Sequence, residues 1–231
     1  MPHPEKNHAH HACQKAVIAQ AYNILLKVYG RQYWWPAESP FEVIVGAILT
    51  QNTSWSNVEK AIKGLRQKGL LSPNGLKKAG LKTIASAIRP CGYYNIKAIR
   101  LKCFIDFLFK GYKGRVKNMA PQDTSLLRER LLEIKGIGPE TCDSILLYAL
   151  DKPVFVVDAY TRRIAKCIGL ARDDHDYDSI SGMFMDNLPG DTALFNEYHA
   201  LIVRHAKDVC RSRPLCGQCV LRKLRVKTYA S

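Results

Sequence analysis

The stretch 131–150, LLEIKGIGPETCDSILLYAL, constrains the fold more than any other part of the chain. Apolar residues at helical spacing stand on both sides of a Gly-Ile-Gly turn. The pattern predicts a helix, a tight turn and a second helix. Gly136 and Gly138 allow a positive φ and a close approach of the backbone to a ligand. Ile137 is placed to plug between the two helices. Pro139 suits the first position of the second helix, with Thr141 close to that N-terminus. Backbone N–H groups there point outward without intrahelical partners and favour an anion. Lys135 adds positive charge beside them. A bare GxG turn can also be an ordinary corner between helices. The proline and the apolar faces on both sides make the hairpin the stronger reading.

The rest of the chain has the same helical period. Ala16-Val17, Ala21, Ile24-Leu25 and Val28 recur on one face, and Gly30 ends that stretch. Tyr33 to Pro36, YWWP, is an aromatic loop. Pro40 opens an apolar helix over Phe41 to Thr50. Asn57–Gln67, Gly75–Ala79 and Leu81–Ile88 follow as short helices. Asn95 is placed to cap a helix reaching about Phe109, and Asp123 or Thr124 to cap another. Only Pro153–Val157, PVFVV, has strand-like content. It leads straight into Asp158 and a further helix, so a buried extended linker fits it better than a sheet. The expected fold class is all-α.

Length allows one large domain or two small ones. Thirty-five Lys and Arg against twenty Asp and Glu give a net charge of +15. Such a surplus suits a polyanionic partner, because each neutralised phosphate releases counterions. No apolar run reaches the roughly 18 residues needed to cross a bilayer. Residues 1–13 are polar and His-rich, unlike a signal peptide, and read as a disordered tail. His3, His8, His10 and His11 would hold a metal ion loosely at most. Cys13, Cys91, Cys103, Cys142 and Cys167 are scattered, most of them in apolar helical patterns where a thiol packs as a small hydrophobe. Cys210, Cys216 and Cys219 cluster. With no export signal, a metal or cluster site is expected there rather than a disulfide framework.

KGIGPET (135–141) followed by PVFVVDAYTRRI (153–164) resembles the hairpin and Gly/Pro-Asp loop of the helix-hairpin-helix DNA glycosylases. The chain is most similar to their endonuclease III branch. AILTQNT (47–53), CGYYNIKAIRLK (91–102), EYHALIVRHAKDVC (197–210) and the terminal cysteines extend the match from about Pro36 to Cys219. The resemblance implies two helical domains with a DNA cleft between them and the catalytic Asp at their junction. The expected division is a terminal domain of residues 14–40 plus 151–231 and a central helical barrel of residues 41–150 carrying the hairpin. Double-stranded DNA containing damaged bases is the implied partner. A monomeric, cytoplasmic protein is expected, nucleoid-associated in a prokaryote.

Within that resemblance Asp158 is the catalytic carboxylate. It ends an apolar run and starts a helix, so it is also a candidate N-cap. Both roles hold together, since a helix N-terminus favours the ionised form. An ionised carboxylate can stabilise oxocarbenium character on the sugar and orient the attacking water. The endonuclease III pattern has a nucleophilic lysine two residues after the second hairpin glycine. Here that residue is Glu140, which cannot form a Schiff base, and Lys135 lies before the turn. The expectation is a monofunctional glycosylase. Tryptophans paired ahead of the QNT motif resemble the 3-methyladenine glycosylases among such members. Trp34 and Trp35, with Glu140, are the base-pocket candidates. A cationic alkylated purine would stack on the indoles, although the pair also fits loop packing. Gln51 and Asn52 are candidates to fill the gap left by a flipped base, or else a polar helix end. Together with Lys135, Gly136, Ile137, Gly138 and Thr141 they form the DNA-binding set. Tyr93, Tyr94 and Asn95, with Lys97 beside them, are candidates for contact with the DNA backbone.

Cys210-x5-Cys216-x2-Cys219 resembles the iron–sulfur loop of the same branch. That loop has four cysteines and one more residue in the first spacing. The fourth would fall near Arg225, and no cysteine follows Cys219. Three thiolates can hold a 4Fe-4S cluster whose fourth iron takes another ligand or solvent. Zinc with His205, and a degenerate site of reduced thiols, are the other readings. Arg204 to Lys227 carries eight Lys and Arg against one acid, Asp208, which suits DNA backbone contact in any case. Two competing functions remain: an endonuclease III-like glycosylase for oxidised or mismatched pyrimidines, with or without lyase activity, and a DNA-binding module that uses the hairpin without catalysis.

Overall fold

The computed structural model describes residues 4–211 and 213–224. Among them all regular secondary structure is helical, as the period of the sequence predicts. The chain forms two compact units, one of residues 1–34 with 153–231 and one of residues 35–152. Helix α1 (Pro4–Tyr29) opens the first unit. The second holds α2 (Pro40–Leu49), α3 (Trp55–Gln67), α4 (Pro73–Lys78), α5 (Leu81–Ala87), α6 (Tyr94–Tyr112), α7 (Thr124–Leu132) and α8 (Pro139–Ser144). The chain then returns to the first unit with α9 (Ala159–Cys167), α10 (Tyr177–Asn187) and α11 (Thr192–Asp208). Most of the segment expected as a tail is therefore helical, since α1 starts at Pro4. The loose metal reading at His3, His8, His10 and His11 lies outside the described side chains. No described helix is long and apolar enough to cross a membrane.

In the first unit α1 buries Val17, Ile18, Ala21 and Leu25, one face at helical spacing. That face packs on α11. The PVFVV run forms neither helix nor strand, and Val154 to Val157 are buried. Its Phe155 stacks on Phe184 with centroids 4.1 Å apart, and Phe195 and Tyr198 meet it edge-on. Tyr198 is fully buried, and its hydroxyl donates to the Ile18 carbonyl at 2.9 Å. The hydroxyl thus meets the hydrogen-bonding need of an otherwise apolar side chain.

In the second unit α2 is buried along nearly its whole length, from Phe41 to Leu49. Apart from Glu42, PFEVIVGAIL is apolar, which suits a central helix. Ser39 caps it by accepting from Glu42 N–H, and the buried Glu42 pairs with Arg66 at 2.9 Å. Gly64 brings α3 against the end of α5, where a Cβ would lie 2.4 Å from the Ala87 carbonyl oxygen. α6 departs from the expected cap. Asn95 lies inside the helix, and Tyr93, at φ 45°, ends the preceding turn without a side-chain capping bond. Asp123 caps α7, its Oδ1 accepting from Leu126 N–H at 3.0 Å. α8 runs on into a π-helical turn, Ile145–Ala149, whose residues are mostly buried.

Candidate active site

The hairpin lies between α7 and α8. Gly136 has φ +90°, and a Cβ there would lie 2.5 Å from the Arg100 side chain. Gly138 differs from expectation. Its φ of −97° with ψ 178° is extended backbone open to any residue, and a Cβ would meet nothing within 4 Å. Only the first glycine uses its conformational freedom. Ile137 is buried, while Lys135 and Glu140 are exposed. Thr141, in the first turn of α8, is buried and accepts a bond from Gln51 Nε2 at 2.8 Å. The same Nε2 donates to the Gly136 carbonyl at 3.0 Å, and Arg100 donates to Gln51 Oε1. The loop after α2 and the hairpin therefore share one hydrogen-bonded network, with Gln51 at its centre.

Asn52 beside it is exposed and takes a left-handed φ of 52°. Thr53 is tied down: its hydroxyl donates to the Cys91 carbonyl and accepts from Lys97. Lys97 is 1% exposed and also donates to the carbonyls of Leu49 and Cys91, each at 2.8 Å. Burial pushes its pKa down. The expectation of Lys97 beside a DNA backbone is corrected here, because its ammonium is enclosed among carbonyls of its own unit.

In the other unit Asp158 is the N-cap of α9, with Oδ1 accepting from Thr161 N–H at 2.7 Å. Oδ2 lies 3.6 Å from Nε2 of His199, a buried residue of α11. Two influences oppose each other at this carboxyl. Burial raises its pKa, while the charge and hydrogen bonding of His199 and the N–H and hydroxyl of Thr161 lower it. The lowering prevails, so the group is held ionised below the usual carboxylate range.

The two tryptophans have separate surroundings. Trp35 packs edge-on to Trp55 and at a tilt to Tyr148, with centroids 5.0 and 5.2 Å away, and lies over Gly46. Trp34 belongs to the other unit, where Lys207 Nζ stands 5.9 Å from its ring.

Cys210, Cys216 and Cys219 line a pocket of about 240 Å³ in the unit of α9 and α11. Cys167, the last residue of α9, lines it too, within hydrogen-bonding reach of the Cys210 thiol. Burial and then the neighbouring thiols push its pKa up. His205 Nε2 is 3.4 Å from Cys219 Sγ, and its Nδ1 is 2.9 Å from the Tyr29 hydroxyl. No three His, Cys, Asp or Glu side chains among the described residues converge tightly enough to hold one metal ion.

Sequence reading missed Arg100, His199, Trp55, Tyr148 and Cys167. Arg100 and His199 do lie in CGYYNIKAIRLK and EYHALIVRHAKDVC, two of the segments that carry the family resemblance. No local spacing distinguishes them, since their partners come from distant parts of the chain.

Residues 45–189 match the HhH-GPD superfamily of base excision DNA repair proteins. A "Putative DNA repair glycosylase" of Methanocaldococcus jannaschii is 48% identical over 90% of this chain and 94% of its own length. Endonuclease III of Sulfolobus acidocaldarius is 30% identical over 79% of each chain. The structure of H. pylori 3-methyladenine DNA glycosylase bound to 1,N6-ethenoadenine is similar with a TM-score of 0.73 and 29% identity, covering 84% of this chain and 97% of that one. A non-covalent endonuclease III–DNA complex shares the fold with a TM-score of 0.78 at 22% identity, over 91% of this chain and 94% of that one.

Proposed function

This chain belongs to the HhH-GPD superfamily of base excision DNA repair proteins, and on that premise we propose that it is a monofunctional DNA glycosylase for alkylated purines. DNA glycosylase activity, hydrolysis of an N-glycosidic bond, comes with its relatives. The observation that carries the finer reading is a carboxylate held ionised at Asp158 in a chain that has Glu140, not lysine, in its hairpin. As the base departs, positive charge grows on the sugar. A fixed negative charge that needs no reorganisation lowers the energy of that state. The carboxylate also accepts hydrogen bonds from water and can orient it for attack on the sugar carbon. Thr161 and His199 hold the charge in place. A glutamate offers no amine to the opened sugar, so the reaction ends with base release.

Alkylated purines are favoured because their positive charge makes them good leaving groups, which reduces the need for a general acid. The aromatic group of Trp35, Trp55 and Tyr148 offers π-faces of the kind that attract a planar cation. Similarity to a 3-methyladenine glycosylase supports the same substrate class. Identity to endonuclease III supports a second reading, in which oxidised or mismatched pyrimidines are removed. A 4Fe-4S cluster at Cys210, Cys216 and Cys219 would order the basic C-terminal loop for DNA contact in either case.

The test is release of free base from a panel of damaged duplexes. Alkylated purines should be released, and Asp158→Asn should abolish release while leaving DNA binding nearly intact, because Asn keeps size and capping but loses charge. Turnover retained within tenfold, about 1.4 kcal/mol of barrier, would overturn the role of Asp158. Borohydride should trap no protein–DNA adduct. A trapped band lost on replacing one particular lysine would overturn the monofunctional mechanism.

A further inference from the structure

We propose that Cys167 is the fourth thiolate of an iron–sulfur cluster held with Cys210, Cys216 and Cys219. The terminal pattern supplies three thiols, and Arg225 stands where the pattern would place a fourth. The fold supplies another from a distant segment, because α9 ends at the wall of the same pocket.

The residues present fit such a group on three counts. First, all four cysteines line one pocket of about 240 Å³. Cys167 interacts with each of the other three, most directly with Cys210. Second, no three of the described His, Cys, Asp or Glu side chains are set as a single-ion site requires. Tetrahedral zinc needs sulfurs roughly 3.8 Å apart, as follows from a Zn–S bond of about 2.3 Å. No such tight convergence exists among the described residues. A cubane places an iron at each of four corners and takes its thiolates from a wider circle. Third, the remaining lining supplies apolar walls, among them Ile164 and Val209, and two guanidinium groups, Arg163 and Arg222. An anionic thiolate-bound cluster is favoured by nearby cations and by restricted solvent.

His205 is the competing fourth ligand, and its surroundings argue for another role. Its Nε2 already meets the Cys219 sulfur and its Nδ1 the Tyr29 hydroxyl. That arrangement suits an N–H donor to a ligating sulfur, which tunes a cluster without binding iron.

The test uses the full chain, purified without oxygen and reconstituted with ferrous iron and sulfide. Wild type, Cys167→Ser, Cys167→Ala and, as a control outside the pocket, Cys13→Ser are compared. The readouts are iron and acid-labile sulfide per chain, the visible thiolate-to-iron absorption, and electron paramagnetic resonance after mild oxidation. Wild type and Cys13→Ser should hold about four irons per chain. Both Cys167 variants should lose iron, leaving a paramagnetic three-iron cluster or none. Circular dichroism and melting of the unreconstituted proteins separate ligand loss from unfolding. Should both small variants fail to fold, Cys167→His decides: a changed resonance spectrum supports the assignment, and one identical to wild type overturns it. Cys167 variants with wild-type iron and spectrum overturn it as well. So does a wild type that takes up no iron, or that holds one tight zinc instead. Base release is not among the readouts, so failure of the proposed glycosylase reading would leave this result standing.

Discussion

At Asp158 burial and hydrogen bonding pull the carboxyl in opposite directions, and the balance sets the pH range in which it can work. Its folded pKa is depressed. The charge is therefore retained as pH falls through the ordinary carboxylate range and is lost only below it. The stability linked to that charge follows the same course: it is present above the unfolded-state pKa and disappears as pH falls through the folded one. His199→Gln removes the strongest lowering influence and leaves burial in place. The acid limb of the base-release profile should shift to higher pH, with little change on the plateau. A pH–rate series on one alkylated duplex checks this, and an unmoved limb would show that His199 does not hold the charge. Asp158 was legible in the sequence because it stands where an apolar run meets a helix start. His199 was not. It is one of several histidines, and only the approach of α11 to the start of α9 brings it to the carboxylate.

Helices and turns carry the next set of consequences. Gly136 and Gly138 look equivalent in the sequence, yet one is left-handed against Arg100 and the other extended in open space. Gly136→Ala should cost about 1–3 kcal/mol of stability and weaken binding to damaged and undamaged duplex alike. Gly138→Ala should stay within about 0.5 kcal/mol of wild type. Paired melts and binding curves distinguish them, and equal loss of stability in the two variants would contradict the geometry. Gly64→Ala is the corresponding probe of packing. A methyl 2.4 Å from a backbone carbonyl cannot be accommodated by a side-chain rotation, so α3 must shift from α5, at about 1–3 kcal/mol. A variant melting like wild type would mean that this contact relaxes freely. Most element boundaries were legible from caps and breakers, as at Pro40 and Asp123. Asn95 misled because a left-handed Tyr93 starts α6 without a side-chain cap, and residue type alone does not reveal that conformation.

Charge acts at the scale of the whole molecule. With +15 spread over 231 residues, affinity for undamaged duplex should fall tenfold or more between ~50 and ~200 mM salt, as counterion release requires when several phosphates are neutralised. A flat salt dependence would remove the backbone as the main source of affinity. The helical class was readable from period, and charge pointed to a polyanionic partner. The first unit's assembly from two ends of the chain was expected from the family resemblance alone, because apolar period marks which face is buried and not what buries it. That assembly also has a consequence for biosynthesis. The Ile18 carbonyl and the Tyr198 hydroxyl that bonds to it are 180 residues apart. At about 5–20 residues per second, the ribosome delivers the second roughly 10–40 s after the first. During that interval the segment 35–152 has emerged complete, while α1 still waits with Val17, Ile18, Ala21 and Leu25 uncovered. The nascent chain therefore matures from the middle outward, and its earliest helix is among the last to find its place.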